Sequence, residues 1–209
     1  MIKIRDLKRN FPAFGLNIEC RILDVPSGSS AGIYGSSGSG KTLMSKIVSG
    51  IIKNYTGSVQ TELSEAGDTY KKKIGYLPFT NTLYPVFKVR EMMLFLISRY
   101  GIKEAEYDLK AEWFAQFREI RPFANRRICT LSAGELQSVK LFASVIHSPS
   151  VLVMDEPFNG LGTEDSEMIR MMVDDLKKRD VSILAFSSHK ELLSVISDEM
   201  RTIGSGKVE

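Results

Sequence analysis

The chain has 209 residues, 43% hydrophobic and 25% charged, with a formal net charge of +3. That composition suits one sizeable folded core. A charge balance this mild, with no long Lys/Arg block, argues against a nucleic-acid-binding protein. Apolar runs reach about six residues, far short of the roughly 18 that cross a bilayer. The charged start "MIKIRDLKRN" carries no secretory signal. Cys20 and Cys129 form no CxxC pair, so neither a zinc nor a redox site is expected, and reduced thiols in a cytosolic, soluble chain are.

Taken in order, strand-like runs are expected at 2–4, 16–23, 31–34, 73–77, 151–154 and 181–186. Helical patterns are expected at 42–49, 88–100, 109–118, 133–146 and 165–178. The 88–100 segment places Val89, Met92, Met93, Leu96 and Ile97 near a 3.6-residue period. Lys71, Lys72 and Lys73 read as a solvated strand edge, and "IGSGK" near 203–207 as a hairpin turn. Strands alternating with helices predict an α/β sheet with a parallel core. The stretch from about 80 to 146 offers no convincing strand and reads as an inserted helical lobe.

"GSSGSGKT", Gly35 to Thr42, follows an apolar strand and opens a helix. It satisfies G-x-x-x-x-G-K-[ST] in full. Gly35, Gly38 and Gly40 let the backbone wrap close to an anion, and its amides form a donor nest backed by a helix N-terminus. Ser36, Ser37 and Ser39 keep the loop narrow. Lys41 supplies a cation for phosphates and Thr42 a hydroxyl for Mg2+. A turn that binds nothing is the competing reading, and the Lys-Thr ending disfavours it.

"VLVMDEP" ends a buried strand in two carboxylates, where open α/β sheets present ligand crevices. Asp155 is placed to reach a metal and Glu156 to act as general base. Alone, Asp155-Glu156-Pro157 is as well explained by a strand-ending turn; a phosphate loop about 110 residues upstream favours chemistry. "LSAGE", 131–135, has Ser132 and Glu135 at capping-box spacing. "SSH" brings His189 to the end of another apolar strand, whereas His147 reads as a loop residue between helix and strand.

Phosphate loop, helical lobe, "LSAGE", "VLVMDE" and "SSH" stand in the order found in ABC ATPases, and across essentially its whole length the chain resembles the ATP-binding subunits of ABC transporters. The resemblance implies a P-loop NTPase fold with an N-terminal antiparallel β portion. It implies a RecA-like core at about 1–79 and 147–209 and a helical subdomain at about 80–146. ATP and Mg2+ are the implied cofactors, with Mg2+ on Thr42 and Asp155. Ser132 and Gly134 would face phosphates held by a second ATPase subunit, in a homodimer or heterodimer. His189 would contact the γ-phosphate. Phe11, favoured over Phe14 by its distance from Lys41, would stack on adenine. Transmembrane permease subunits would be the partners, at the cytoplasmic face of a membrane.

Several positions depart from that family. Phe79 stands where a glutamine or acid is usual, and a phenyl ring can neither ligate Mg2+ nor hold a water. Gly162 replaces an acid after Glu156. Ala133 and Glu135 replace glycine and glutamine, and Ser138 stands at a common arginine position. Phe79, Leu83, Tyr84 and Phe87 form either core packing or a partly exposed groove for a membrane subunit. Short length and the "LYP…VRE" segment resemble compact exporter subunits. The altered positions also allow a hydrolysis-poor subunit of an asymmetric heterodimer. A P-loop kinase or GTPase is disfavoured, because no Asn-Lys-x-Asp guanine reader occurs and "LSAGE" would go unexplained.

Overall fold

A computed structural model describes residues 1–61, 73–162 and 165–209; Lys71 and Lys72, read above as a strand edge, lie outside them. The strands are β1 (Ile2–Phe11), β2 (Leu16–Val25), β3 (Ser30–Tyr34), β4 (Thr56–Thr61), β5 (Ile74–Leu77), β6 (Val151–Asp155), β7 (Ser182–Ser187), β8 (Glu199–Gly204) and β9 (Lys207–Val208). Among the described residues they form one sheet in the order β4-β1-β2-β9-β8-β3-β7-β6-β5. From β8 through β3, β7 and β6 to β5 every pairing is parallel. At the other end β1 pairs antiparallel with both β2 and β4. The expected α/β architecture, with a parallel core and an N-terminal antiparallel portion, therefore holds.

Sequence explains the central order. β6 and β7 are buried at every position, as strands covered on both faces must be, and they read as apolar runs without alternation. α1 (Lys41–Val48) and α6 (Lys190–Val195) pack on the central strands, and α5 (Asp165–Lys178) lies against β7. Residues 78–150 hold α2 (Val89–Tyr100), α3 (Tyr107–Ala115) and α4 (Ala133–Val145) and no strand of the sheet. Val89, Met93 and Ile97 of α2 share one core with Phe114 of α3, Phe142 of α4 and Leu152 of β6. β1 runs well past the expected 2–4 because its pairing with β2 continues to Phe11–Leu16. β4, α6 and β8 were not expected. The 203–207 hairpin is present, with Ile203 opposite Val208 and Gly204 opposite Lys207.

His147 sits in the α4–β6 loop, as read, but is buried. Its ring stacks on Tyr100 at 4.0 Å and 6°, and Nε2 lies 3.2 Å from the Ile74 carbonyl oxygen. Burial holds its pKa down to about 4, against 6.5 in the free side chain. Between those values the unfolded chain binds the extra proton, so this histidine lowers stability as pH falls from 6.5 towards 4. The loss is at most about 3 kcal/mol. Urea melts of His147→Phe at a series of pH values check it: the variant should lack that part of the wild-type slope.

Candidate functional site

The loop between β3 and α1 takes its shape from residues 203–206. The Gly206 amide donates to the Ser39 carbonyl at 2.9 Å. Gly40, the residue before α1, has φ +104°, and a Cβ there would sit 2.6 Å from Ile18 Cδ1, so only glycine fits. Gly38 also has positive φ, +79°, but a Cβ there would meet nothing; the space over the loop is open. Ser37, Gly38, Gly40, Lys41 and Thr42 line a cavity of about 460 Å³, together with Phe14, Phe79, Glu156, Asn159, Ser188 and His189. Gly35 and Ser39 are buried off its wall, and Ser36 is exposed outside it.

Lys41 is buried, and its Nζ donates to the carbonyls of Gly35 at 2.8 Å and Ser36 at 3.0 Å. The same ammonium lies 3.3 Å from Glu156 Oε1. Glu156 in turn accepts from Ser187 Oγ at 2.9 Å and from the Ser188 amide at 2.9 and 3.1 Å. Its backbone has φ +52°, a left-handed conformation that non-glycine residues hold only when their surroundings enforce it. His189 is mostly exposed, with Nδ1 4.0 Å from Glu156 Oε2. Ser187 and Ser188 were not singled out from sequence, although "SSH" contains both.

Asp155 is fully buried, and neither carboxylate oxygen has a partner in hydrogen-bond geometry. Burial pushes its pKa up; the nearby Thr42 hydroxyl pulls down, the Glu156 charge raises and the Lys41 charge lowers, each less than burial does. An ionised carboxylate left unpaired in a protein interior is costly. A cation beside Thr42 and Asp155 would remove that cost, and two oxygen donors plus phosphate and water suit Mg2+, which seldom takes an all-protein cage. No group of three or more His, Cys, Asp or Glu side chains suited to a metal occurs among the described residues.

Of the two aromatics weighed for adenine stacking, Phe14 lines the cavity and Phe11, the one favoured, does not. Phe11 closes the β1–β2 pairing opposite Leu16 and packs on the core beneath the Arg9 guanidinium. One 3-10 turn at 12–14, ended by Gly15 at φ +61°, then carries Phe14 outward. Phe79 also lines the cavity, and its carbonyl accepts from Lys140 Nζ at 3.0 Å. Lys140 was not flagged by sequence. It is buried in α4, which presses its pKa down to about 8.

Ser132 and Gly134 are not brought to this cavity. Ser132 caps α4: the Glu135 amide donates to its Oγ at 3.3 Å, and Glu135 Oε2 accepts from the Ser132 amide at 2.8 Å. Both halves of the expected capping box are therefore made. A Cβ on Gly134 would lie 3.4 Å from the Gly160 carbonyl oxygen, so this helix start abuts the turn after Glu156. It stays open to a facing molecule.

Comparison with known proteins accords with this geometry. The ABC transporter family model matches residues 21–159. An ABC transporter ATP-binding protein of Bacillus subtilis, YhaQ, is 33% identical over 188 residues, 88% of this chain and 62% of the relative. MJ1023 of Methanocaldococcus jannaschii, also named as an ABC transporter ATP-binding protein, is 30% identical over 184 residues, 88% of this chain and 67% of the relative. The chain thus spans about two thirds or less of their lengths. Among solved structures, the dimeric bacterial ABC transporter cassette MJ0796 superposes with a TM-score of 0.86 at 22% identity, covering all of this chain and 97% of that one. A phosphate loop, an acidic strand end and a capped "LSAGE" helix, on this fold and within this match, lead to one assignment: the chain belongs to the ABC transporter family, as an ABC-type ATP-binding domain.

Proposed function

We propose that this chain binds and hydrolyses ATP to energise transport by separate membrane-spanning subunits. The observation that carries the reading is the convergence of Lys41, Glu156 and His189 on one cavity, beside a buried carboxylate with no partner. ATP phosphates enter the nest of loop amides, and Lys41 turns from Glu156 to them. Thr42 and Asp155 would hold Mg2+, which would neutralise charge on the phosphate oxygens. Glu156, released from Lys41 but still held by Ser187 and Ser188, orients a water and takes its proton as the water oxygen bonds to the γ-phosphorus. The bond to the β–γ bridging oxygen breaks, ADP leaves with that oxygen, and His189 steadies the γ-phosphoryl group.

Two copies facing each other would set Ser132 and Gly134 of each over the partner's nucleotide. Moving such closure from 1:99 to 99:1 needs about 5.5 kcal/mol of differential binding, which charge-assisted bonds to two nucleotides can supply. The helical segment 80–146 carries the contact to the membrane subunit. Tyr84, Phe87 and Phe95 pack together with centroids 5.4 to 6.1 Å apart, while Tyr84, Val86 and Phe95 remain exposed. Leu83, grouped with them by sequence, is buried core. No helix among the described residues is long and apolar enough to cross a membrane. The chain docks on its membrane subunits at the cytoplasmic face. Export is its direction, on the strength of the compact "LYP…VRE" segment.

Phe79 in the cavity wall supports a second reading, in which the chain binds ATP and closes with a different ATPase subunit but hydrolyses slowly. Calorimetric titration with Mg-ATP, followed by phosphate release with and without the membrane partner, separates the two. Tight binding with partner-stimulated release supports the first; binding without release supports the second. Absence of binding removes both.

Adenine recognition is assigned to Phe14. Phe14→Ala should weaken ATP binding up to about tenfold, the worth of one aromatic stacking contact. Phe11→Ala should leave affinity nearly unchanged, and calorimetry with the two variants checks the contrast.

A further inference from the structure

Lys140 lies in the buried face of α4 and makes no ion pair with a carboxylate among the described residues. A buried ammonium is expensive unless its bonds are well made, and an aliphatic residue would fill the site without that cost. What the ammonium does is specific. It donates to the Phe79 carbonyl at 3.0 Å and to Gln137 Oε1 at 3.1 Å. Lysine has no acceptor, so it fixes which end of the buried Gln137 amide faces it. The other end, Nε2, then donates to the Pro157 carbonyl at 2.8 Å and approaches the Glu156 carbonyl at 3.5 Å. Those carbonyls are the first two after the left-handed Cα of Glu156, the conformation that needs outside enforcement.

We infer that Lys140 is a positioning residue: through Gln137 it holds the strained Glu156 backbone in register, and through the Phe79 carbonyl it locks the segment leaving β5 to the same unit. The phenyl ring of Phe79 cannot form a side-chain link to the nucleotide, so its backbone, gripped by Lys140, makes the link between the helical segment and the catalytic turn.

This rests on the hydrolytic reading of Glu156, and the test has one arm that does not. Lys140→Met keeps length and packing while removing the donor, and Gln137→Met breaks the relay one step later. Lys140→Met should melt at the wild-type temperature or above it, bind ATP within twofold of wild type, and release phosphate at least tenfold more slowly. In nucleotide-free protein the Asn159 amide, which donates to the Glu156 carbonyl at 3.1 Å, should exchange with deuterium about tenfold faster, while amides of β6 keep their rates. Gln137→Met should match it in both readouts, and the double variant should be no worse than either single one. Unchanged Asn159 exchange overturns the inference, as do additive losses in the double variant. A joint fall in melting temperature, affinity and rate overturns it too, since that marks mere packing. If Lys140→Met does not fold, exchange in Gln137→Met decides. Wild-type protein without turnover would defeat the hydrolytic reading, yet the Asn159 readout would still judge the relay.

Discussion

Glu156→Gln should bind Mg-ATP at least as tightly as wild type while releasing phosphate about 10²–10⁴-fold more slowly, the usual worth of a positioned general base. Shape is preserved: the amide oxygen can still accept from the Ser188 backbone, and Ser187 Oγ can turn to accept from the new NH2. What disappears is the negative charge 3.3 Å from Lys41 Nζ. Lys41 keeps its two carbonyl partners and no longer has to leave a carboxylate to reach phosphate, so affinity has no reason to fall. Calorimetry and single-turnover phosphate release on the same preparation measure both halves. Wild-type turnover would remove Glu156 from the base role, and a large loss of affinity would mean that its charge belongs to the binding site instead.

Asp155→Asn should separate stability from activity. The wild-type carboxylate is buried, with the Thr42 and Ser45 hydroxyls near it but outside hydrogen-bond geometry, and its pKa is raised, chiefly by burial. For a raised acid the folded state binds the extra proton, so stability declines as pH climbs through the window just above the free value of 3.8. At neutral pH the nucleotide-free wild type therefore carries a penalty that asparagine largely lifts. An increase of about 1–2 kcal/mol, or roughly 2–8 °C in melting temperature, is expected without nucleotide. The gain should vanish below about pH 4, where both side chains are neutral. Mg2+-dependent phosphate release should fall by about two orders of magnitude, as for a lost transition-state electrostatic partner. Melting curves with and without Mg-ATP check it: nucleotide should stabilise wild type far more than the variant. A variant that melts lower without nucleotide would mean that Asp155 already has a partner.

The placement of Lys41, Thr42, Asp155 and Glu156 was legible because each sits in a short motif whose spacing fixes its backbone. Lys41 and Thr42 must start a helix after the glycine loop, and Asp155 and Glu156 must end a buried strand. Elements that draw their stability from neighbours were not legible. β4, "TGSVQT", contains a glycine at φ +82° and only one buried residue; it is a strand because β1 offers it a partner. β8 is mostly exposed or half-buried, and α6 has six residues, too few for a helical period to register. Phe14 was passed over for Phe11 because a single turn decides which ring faces the cavity, and separation along the chain carries no direction. Lys140 looked like an ordinary helix lysine; its role appears only when the carbonyl of a residue 61 positions away is placed against it.

The bond from Gly206 to Ser39 also bears on biogenesis. β3 needs β7 and β8 on its flanks, and the loop beyond it closes only against the hairpin that follows. A nascent chain still on the ribosome, with that hairpin inside the exit tunnel, has Gly35 to Thr42 already outside but lacks the brace that shapes them. Ligand capture should therefore wait until the hairpin has emerged and closed on the loop, and ATP would select chains in which that bond is made over chains in which it is not.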